Sequence, residues 1–164
     1  KGYEEIGLTV LIQAIKNEID LPIIAAGGIV NGIGMASAFA AGAEAIQMGT
    51  RFVSSIESPV HYNFKDSIKS AGTDGTYILN KSSKPVIRAL KTEFTKDIYE
   101  KGLMSMGDLA KIKDLYFGGD MNAAPALAGQ SSGLINEVKS VKNIIDETIS
   151  EYNEVCSRLS KNLF

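Results

Sequence analysis

Leu8, Leu11, Ile12, Ile15 and Ile19 recur at steps of three and four, which predicts an amphipathic helix over 8–19 that ends near Asp20. The period then changes. An apolar run from Pro22 and Ile23 stops at Gly27-Gly28, and a second run, Ala45 to Met48, stops at Gly49-Thr50. Unbroken apolar runs of this length read as strands buried on both faces, and the short helical stretch between them makes the pair parallel. In that helix Asn31 is placed to cap the start and Gly42 to end it, with Met35, Ala38 and Phe39 toward the core. Both strands therefore end in glycine turns at the same end of one sheet.

Farther along, residues 58 to 71 read as a polar helix, and Gly72 to Gly75 as a turn. Thr76-Tyr77-Ile78-Leu79 is a short strand or extended segment. Pro85 sits at a first helical position, and Val86, Leu90, Phe94 and Ile98 step by four until Gly102, which predicts a helix over 85–102. A second helix, about Asp108 to Phe117, ends at Gly118-Gly119, and DMNAAPALAGQSSG between Asp120 and Gly133 is loop composition. The final helix carries Val141, Ile144, Ile145, Ile149, Tyr152, Cys156 and Leu159 as its apolar stripe. That stripe runs for two or three heptads, so packing within the fold is expected over a coiled coil. Two parallel strands with helices cannot close a sheet and leave hydrophobic edges. The chain is accordingly expected to be the C-terminal portion of a longer polypeptide.

Composition narrows the classes without choosing among them. With 45% hydrophobic and 22% charged residues, the chain has the makings of an ordinary globular core. A net charge of -2 argues against nucleic acid as a partner. No apolar run approaches the roughly 20 residues that span a bilayer. The single cysteine, Cys156, excludes an internal disulfide, fits a reducing cytoplasm and is expected in the core. One histidine and one cysteine far apart supply no metal site.

The candidate chemistry lies at the two glycine turns. Without a Cβ, Gly27, Gly28 and Gly49 let the backbone bend sharply and aim several N–H groups at one spot, which suits a phosphate. The hydroxyl and amide of Thr50 and the amide of Arg51 can join them. The Arg51 side chain is open between reaching the phosphate and pairing with a carboxylate such as Glu44 or Glu57. A phosphate cradle by itself leaves nucleotide, sugar phosphate and flavin all open, and the turns could be turns alone.

The stretch PIIAAGGIVNGIGMASAFAAGAEAIQMGTRFVSSIES closely resembles the last two β/α units of the flavin-dependent nitronate monooxygenases, also called 2-nitropropane dioxygenases. It is also similar to their relatives, the FMN-dependent enoyl-acyl-carrier-protein reductases II. The resemblance continues more thinly through His61-Tyr62-Asn63-Phe64-Lys65, Lys84-Pro85-Val86-Ile87-Arg88 and Ala128-Gly129-Gln130-Ser131-Ser132-Gly133-Leu134.

The resemblance implies an α/β fold, the C-terminal portion of a TIM (β/α)8 barrel with a small, mainly helical inserted domain. Residues 1–72 would carry the last barrel units, 73–133 the small domain and 134–164 the helix that returns to the barrel. Ala26, Gly27, Gly28, Gly49 and Thr50 match positions that hold the FMN phosphate, and the Ala128-Gly129-Gln130 loop would close on the flavin or substrate side. The implied reaction is oxidation of alkyl nitronates with dioxygen by an FMN-dependent oxidoreductase. A base takes the proton alpha to the nitro group, and FMN carries the redox step.

The family's base is a histidine in a GGH-like motif that is absent here, and Lys1-Gly2 resembles the residues just after that motif. No catalytic residue is therefore expected in this chain, which alone would not turn over. His61 is expected instead to serve a helix start. The implied partners are a small-molecule substrate and the N-terminal part of the same polypeptide, with a homodimer left open. The alternatives are an NAD(P)H-using enoyl-acyl-carrier-protein reductase II and, from another class, a non-catalytic phosphate-binding module.

Overall fold

A computed structural model describes residues 6–161; Lys1 and Gly2 lie outside the described residues. In chain order the elements are α1 (Leu8–Lys16), β1 (Ile24–Ala26), α2 (Gly32–Ala40), β2 (Ala45–Gln47), α3 (Thr50–Val53) and α4 (Tyr62–Ser70). There follow β3 (Thr76–Leu79), β4 (Ile87–Leu90), α5 (Glu93–Lys101), α6 (Ile112–Tyr116) and α7 (Val141–Lys161), with 3-10 turns at Met106–Leu109 and Gln130–Leu134. The chain separates into two compact units, one of residues 1–49 with 140–164 and the other of 50–139. No helix among the described residues is long and apolar enough to cross a membrane.

In the first unit β1 and β2 pair in parallel, with Ile24 opposite Ala45, Ala25 opposite Ile46 and Ala26 opposite Gln47. Because side chains alternate across a strand, Ala25 enters a core of Ile12, Ile23, Ile29, Ala38 and Ala43, while Ile24 stays 63% exposed. The expectation of strands buried on both faces therefore fails for this chain. Helices cover one face of this two-stranded sheet, and among the described residues nothing covers the other.

α1 ends at Lys16 with Asn17 as its C-cap rather than at 19, and just beyond it Glu18 N–H and Ile19 N–H both donate to the Ile15 carbonyl. Asn31 caps α2 as expected, its side chain accepting from Gly34 N–H at 2.9 Å, and Gly42 follows the helix at φ +110°.

α2 and α7 meet at Gly32. A methyl group there would overlap the α7 backbone, at 2.5 Å from Thr148 O and 2.7 Å from Glu151 C. The same approach lets the Glu151 carboxylate accept from Gly32 N–H at 2.7 Å, which satisfies one of the orphan donors of the first turn of α2. We expect Glu151→Gln to lower unfolding free energy by about 1 kcal/mol, since a charge-assisted bond becomes a neutral one. Chemical denaturation with unchanged stability would show that the bond contributes nothing.

The stripe of α7 is rotated from the expected one. Ile144, Thr148 and Val155 are buried, whereas Ile145, Ile149, Leu159 and Cys156 are exposed. Contact with Gly32 selects the face that holds Thr148 and Glu151, and the Thr148 hydroxyl is satisfied by the Ile144 carbonyl at 2.6 Å. Cys156 is thus a surface residue and not the core one expected; its hydrogen bond with Tyr152 raises the phenol's pKa.

In the second unit β3 and β4 form an antiparallel hairpin, with Thr76 opposite Leu90. Leu79, Ala89, Ile98 and Met104 make its core. The helix expected over 85–102 is thereby corrected: 87–90 is a strand, and only 93–101 is helical. A step of four fits a period of two as well as one of 3.6, so Val86, Leu90 and Phe94 cannot tell strand from helix.

The break falls at Thr92, whose hydroxyl accepts from Thr95 N–H at 3.1 Å while Thr95 Oγ1 accepts from Thr92 N–H at 2.8 Å. That is a capping box with threonine in the place usually held by Glu or Gln. The polar helix of 58–71 shortens to 62–70, and the helix expected over 108–117 becomes a 3-10 turn followed by α6. Burial raises the pKa of the Tyr116 phenol at the end of α6, opposed by a backbone hydrogen bond at Leu127.

Candidate functional site

The register of β1 with β2 sets Ala26 beside Gln47, so the turns after both strands leave the same end of one sheet. That end is where parallel α/β folds take ligands. Gly27 at φ +104° and Gly28 at φ +73° occupy the left-handed region, which residues with a Cβ enter only at a cost. Among the described residues nothing lies within 4 Å of where a Cβ would stand on Gly27, Gly28 or Gly49. The space above these amides is open, in contrast to Gly32, where another backbone fills it. Ala26, the last residue of β1, is exposed beside them.

Gly27 and Gly28 open on a cleft of about 200 Å³ whose walls are Leu8 and Thr9 of α1 and Gly34, Ser37 and Ala38 of α2. Among the described residues none that lines it carries a charge. The donors on offer are backbone amides and the hydroxyls of Thr9 and Ser37, a set that suits an anion and would repel none. Thr9 and Ser37 are absent from the sequence expectations. The small residues Gly34, Ser37 and Ala38 at helical spacing were the available signal, since they let the glycine turn approach α2 closely.

Thr50 follows Gly49 directly and belongs to the second unit, where its Oγ1 accepts from Gly129 N–H at 3.0 Å. Gln130, the next residue, is exposed at the start of the 3-10 turn. Arg51 is 7% exposed and donates through Nη1 to the Glu137 carbonyl at 2.9 Å and to Ser54 Oγ at 3.3 Å. Glu44, one of its two suggested partners, instead meets Lys16 at 3.5 Å.

His61 caps α4. Its Nδ1 accepts from Asn63 N–H at 3.1 Å, and its backbone N–H donates to the Tyr116 carbonyl at 2.6 Å. The ring is packed on Gly119, where a Cβ would come within 2.6 Å of its Cε1. Among the described residues no group of His, Cys, Asp and Glu is arranged to hold a metal ion.

Comparison with known proteins gives these turns their context. The family profile named Nitronate monooxygenase matches residues 1–151. A "Probable nitronate monooxygenase" from Staphylococcus saprophyticus is 27% identical over 160 residues, which cover 93% of this chain and 45% of that protein. FabK from Thermotoga maritima superposes with a TM-score of 0.91 at 37% identity, over 97% of this chain and 53% of its own. A nitroalkane oxidase from Streptomyces ansochromogenes gives 0.80 at 24% identity, over 94% and 46%; at that identity it bears on the fold alone. The chain thus spans about half the length of the relatives it matches. Its fold is α/β, with the strand and helix arrangement of part of a TIM (β/α)8 barrel, as expected. Because the match runs through both glycine turns and on to the segment that carries Gln130, the chain belongs to the nitronate monooxygenase family.

Proposed function

We propose that this chain contributes the phosphate end of the cofactor site in an FMN-dependent oxidoreductase that oxidises alkyl nitronates with dioxygen. Ala26, Gly27, Gly28, Gly49 and Thr50 would hold the FMN phosphate. One observation carries the reading: two parallel strands end side by side in glycine turns, the positive-φ Gly27 and Gly28 after one and Gly49 after the other, with open space among the described residues where a Cβ would stand. Bound FMN would supply the redox capacity that side chains lack.

The chemistry of each residue gives its part. The amides at Gly27 and Gly28 offer fixed donors that cost no reorganisation on binding an anion. The Thr50 hydroxyl adds a donor, while Leu8, Ile29 and Ala38 make the cleft wall apolar and shield those bonds from water. Gln130 stands on the flavin or substrate side in this proposal. Among the described residues no titratable side chain lines the cleft, and this proposal assigns removal of the proton alpha to the nitro group to a histidine outside this chain. The chain by itself would not turn over. A small-molecule substrate, the rest of the polypeptide, a homodimer and a cytoplasmic location belong to the same proposal.

A second reading, FMN- and NAD(P)H-dependent enoyl-acyl-carrier-protein reductase II, is favoured by the higher identity to FabK, 37% against 27% for the staphylococcal relative. A steady-state assay of the full polypeptide separates the two. Oxygen consumption with a nitronate and indifference to NAD(P)H is the expected result; NAD(P)H consumption driven by a crotonyl thioester would reverse the order. A protein that stays colourless after addition of FMN would point to a non-catalytic phosphate-binding module.

Because His61 is engaged as a cap, His61→Ala should cost about 1 kcal/mol of stability and leave turnover of the full polypeptide within a few-fold. Near-total loss of turnover in a folded variant would make His61 the base.

A further inference from the structure

We propose that His61 is a pH-sensitive latch, which holds the start of α4 to the turn after α6 while its imidazole is neutral and releases it on protonation. The latch lies wholly within the second unit and is independent of what occupies the glycine turns. His61 Nδ1 accepts from Asn63 N–H at 3.1 Å, as the cap of α4. A neutral imidazole has one nitrogen that accepts, and an imidazolium has none. The bond therefore exists only in the neutral form that carries its proton on Nε2. Histidine is the side chain that ordinarily changes charge between about pH 5 and about pH 8, and His61 is only partly buried.

The other contacts of the junction gather on the same residue. The backbone N–H of His61 donates to the Tyr116 carbonyl at 2.6 Å, and its ring lies on Gly119, where a Cβ would stand 2.6 Å from both Cγ and Cε1. Asn63, whose N–H the ring accepts from, donates through Nδ2 to the Gly119 carbonyl at 2.9 Å. Phe64 then sets its ring against Tyr116, with centroids 5.2 Å apart. Losing the Nδ1 bond frees the ring and Asn63 N–H together, so opening starts at 61–64 and at Gly119.

Charge acts in the same direction. An imidazolium at a helix N-terminus meets the positive end of the macrodipole, and the first turn of α4 has no acidic residue to offset it. The titratable groups on the elements that meet here are Tyr62, Lys65 and Asp66 on α4, with Lys113, Asp114, Tyr116 and Asp120 on and after α6. Lys65 donates to the Ile56 and Ser58 carbonyls, Asp66 pairs with Lys69, and Asp120 accepts from Asn122 N–H. Burial raises the pKa of the Tyr116 phenol, which keeps its proton throughout this range. The folded state binds the neutral ring, so the latch is closed at the upper end of the range and is lost as the pH falls.

Hydrogen exchange of the full polypeptide at about pH 7.5 and about pH 5.5, each corrected for the intrinsic rate at that pH, tests this in wild type, His61→Asn and His61→Ala. Asparagine keeps a capping oxygen that does not titrate, and alanine has no cap at either pH. Protection of the amides of 61–66 in wild type is expected to fall about fivefold from the higher pH to the lower, the effect of losing one cap. His61→Asn should hold its protection at both, and His61→Ala should be low at both. Equal protection of wild type at the two pH values would overturn the latch without reference to any variant. A fall in either variant as large as in wild type would also overturn it, since another group would then be titrating. The nitrogen-15 spectrum of the ring, assigned by its loss in His61→Asn, is expected to place the proton on Nε2 at the higher pH; a proton on Nδ1 would overturn the proposal.

Discussion

Gly32→Ala is expected to destabilise the protein by about 2 kcal/mol, against the direction that helix propensity predicts. In an exposed helix, replacing Gly by Ala stabilises by up to about 1 kcal/mol. Here the added methyl would overlap backbone atoms of Thr148, Glu151 and Tyr152. Backbone cannot rotate aside as a side chain can, so α2 and α7 must separate, and overpacking of this kind costs about 1–3 kcal/mol. Separation would also stretch the bond from Gly32 N–H to Glu151, adding roughly 1 kcal/mol. The cost exceeds the propensity gain. Denaturant titration of the full polypeptide measures the difference, and a variant as stable as wild type would mean that α2 and α7 are not in backbone contact at Gly32.

Gly28→Val should lower FMN affinity by about 10- to 100-fold, on the scale where 1.4 kcal/mol is tenfold. Two effects add. At φ +73° a β-branched residue is strained by about 1–3 kcal/mol, and its carbons would occupy the cleft that Gly28 opens. Strain alone could also lower flavin content by unfolding the turn. Gly49→Ala separates the two causes, since Gly49 is not in the left-handed region and, among the described residues, has nothing within 4 Å of its Cβ position. Its stability should stay within about 0.5 kcal/mol of wild type, while the methyl still crowds a phosphate held there. Wild-type flavin content in both variants, read from the absorbance of the purified protein, would show that the phosphate lies elsewhere.

Much of the fold was legible because local rules and tertiary packing agree in it. The glycine turns that end β1 and β2, the parallel pairing, the Asn31 cap and the existence of α7 all follow from residues a few positions apart. The candidate site was legible to the same depth. Ala26, Gly27, Gly28 and Gly49 are read from the place where an apolar run stops, whereas Thr9 and Ser37 come to the cleft only through the packing of α1 and α2 on the turn. Arg51 shows the limit most plainly. Nothing near it in sequence points to the carbonyl of Glu137, 86 positions away, to which its guanidinium donates.

The sequence by itself determined where the chain turns, which strands run parallel, and which glycines are free of a side chain at the end of the sheet, because backbone sterics and hydrophobic period act over a few residues. Tertiary structure alone decided that 87–90 pairs as a strand, that α7 buries Thr148 and Val155 in place of Ile149 and Cys156, and that Thr50 holds Gly129. Each of these depends on a partner distant in the chain. A step of four or an apolar stripe says that a face will be buried, and only the neighbour that arrives there fixes which face it is.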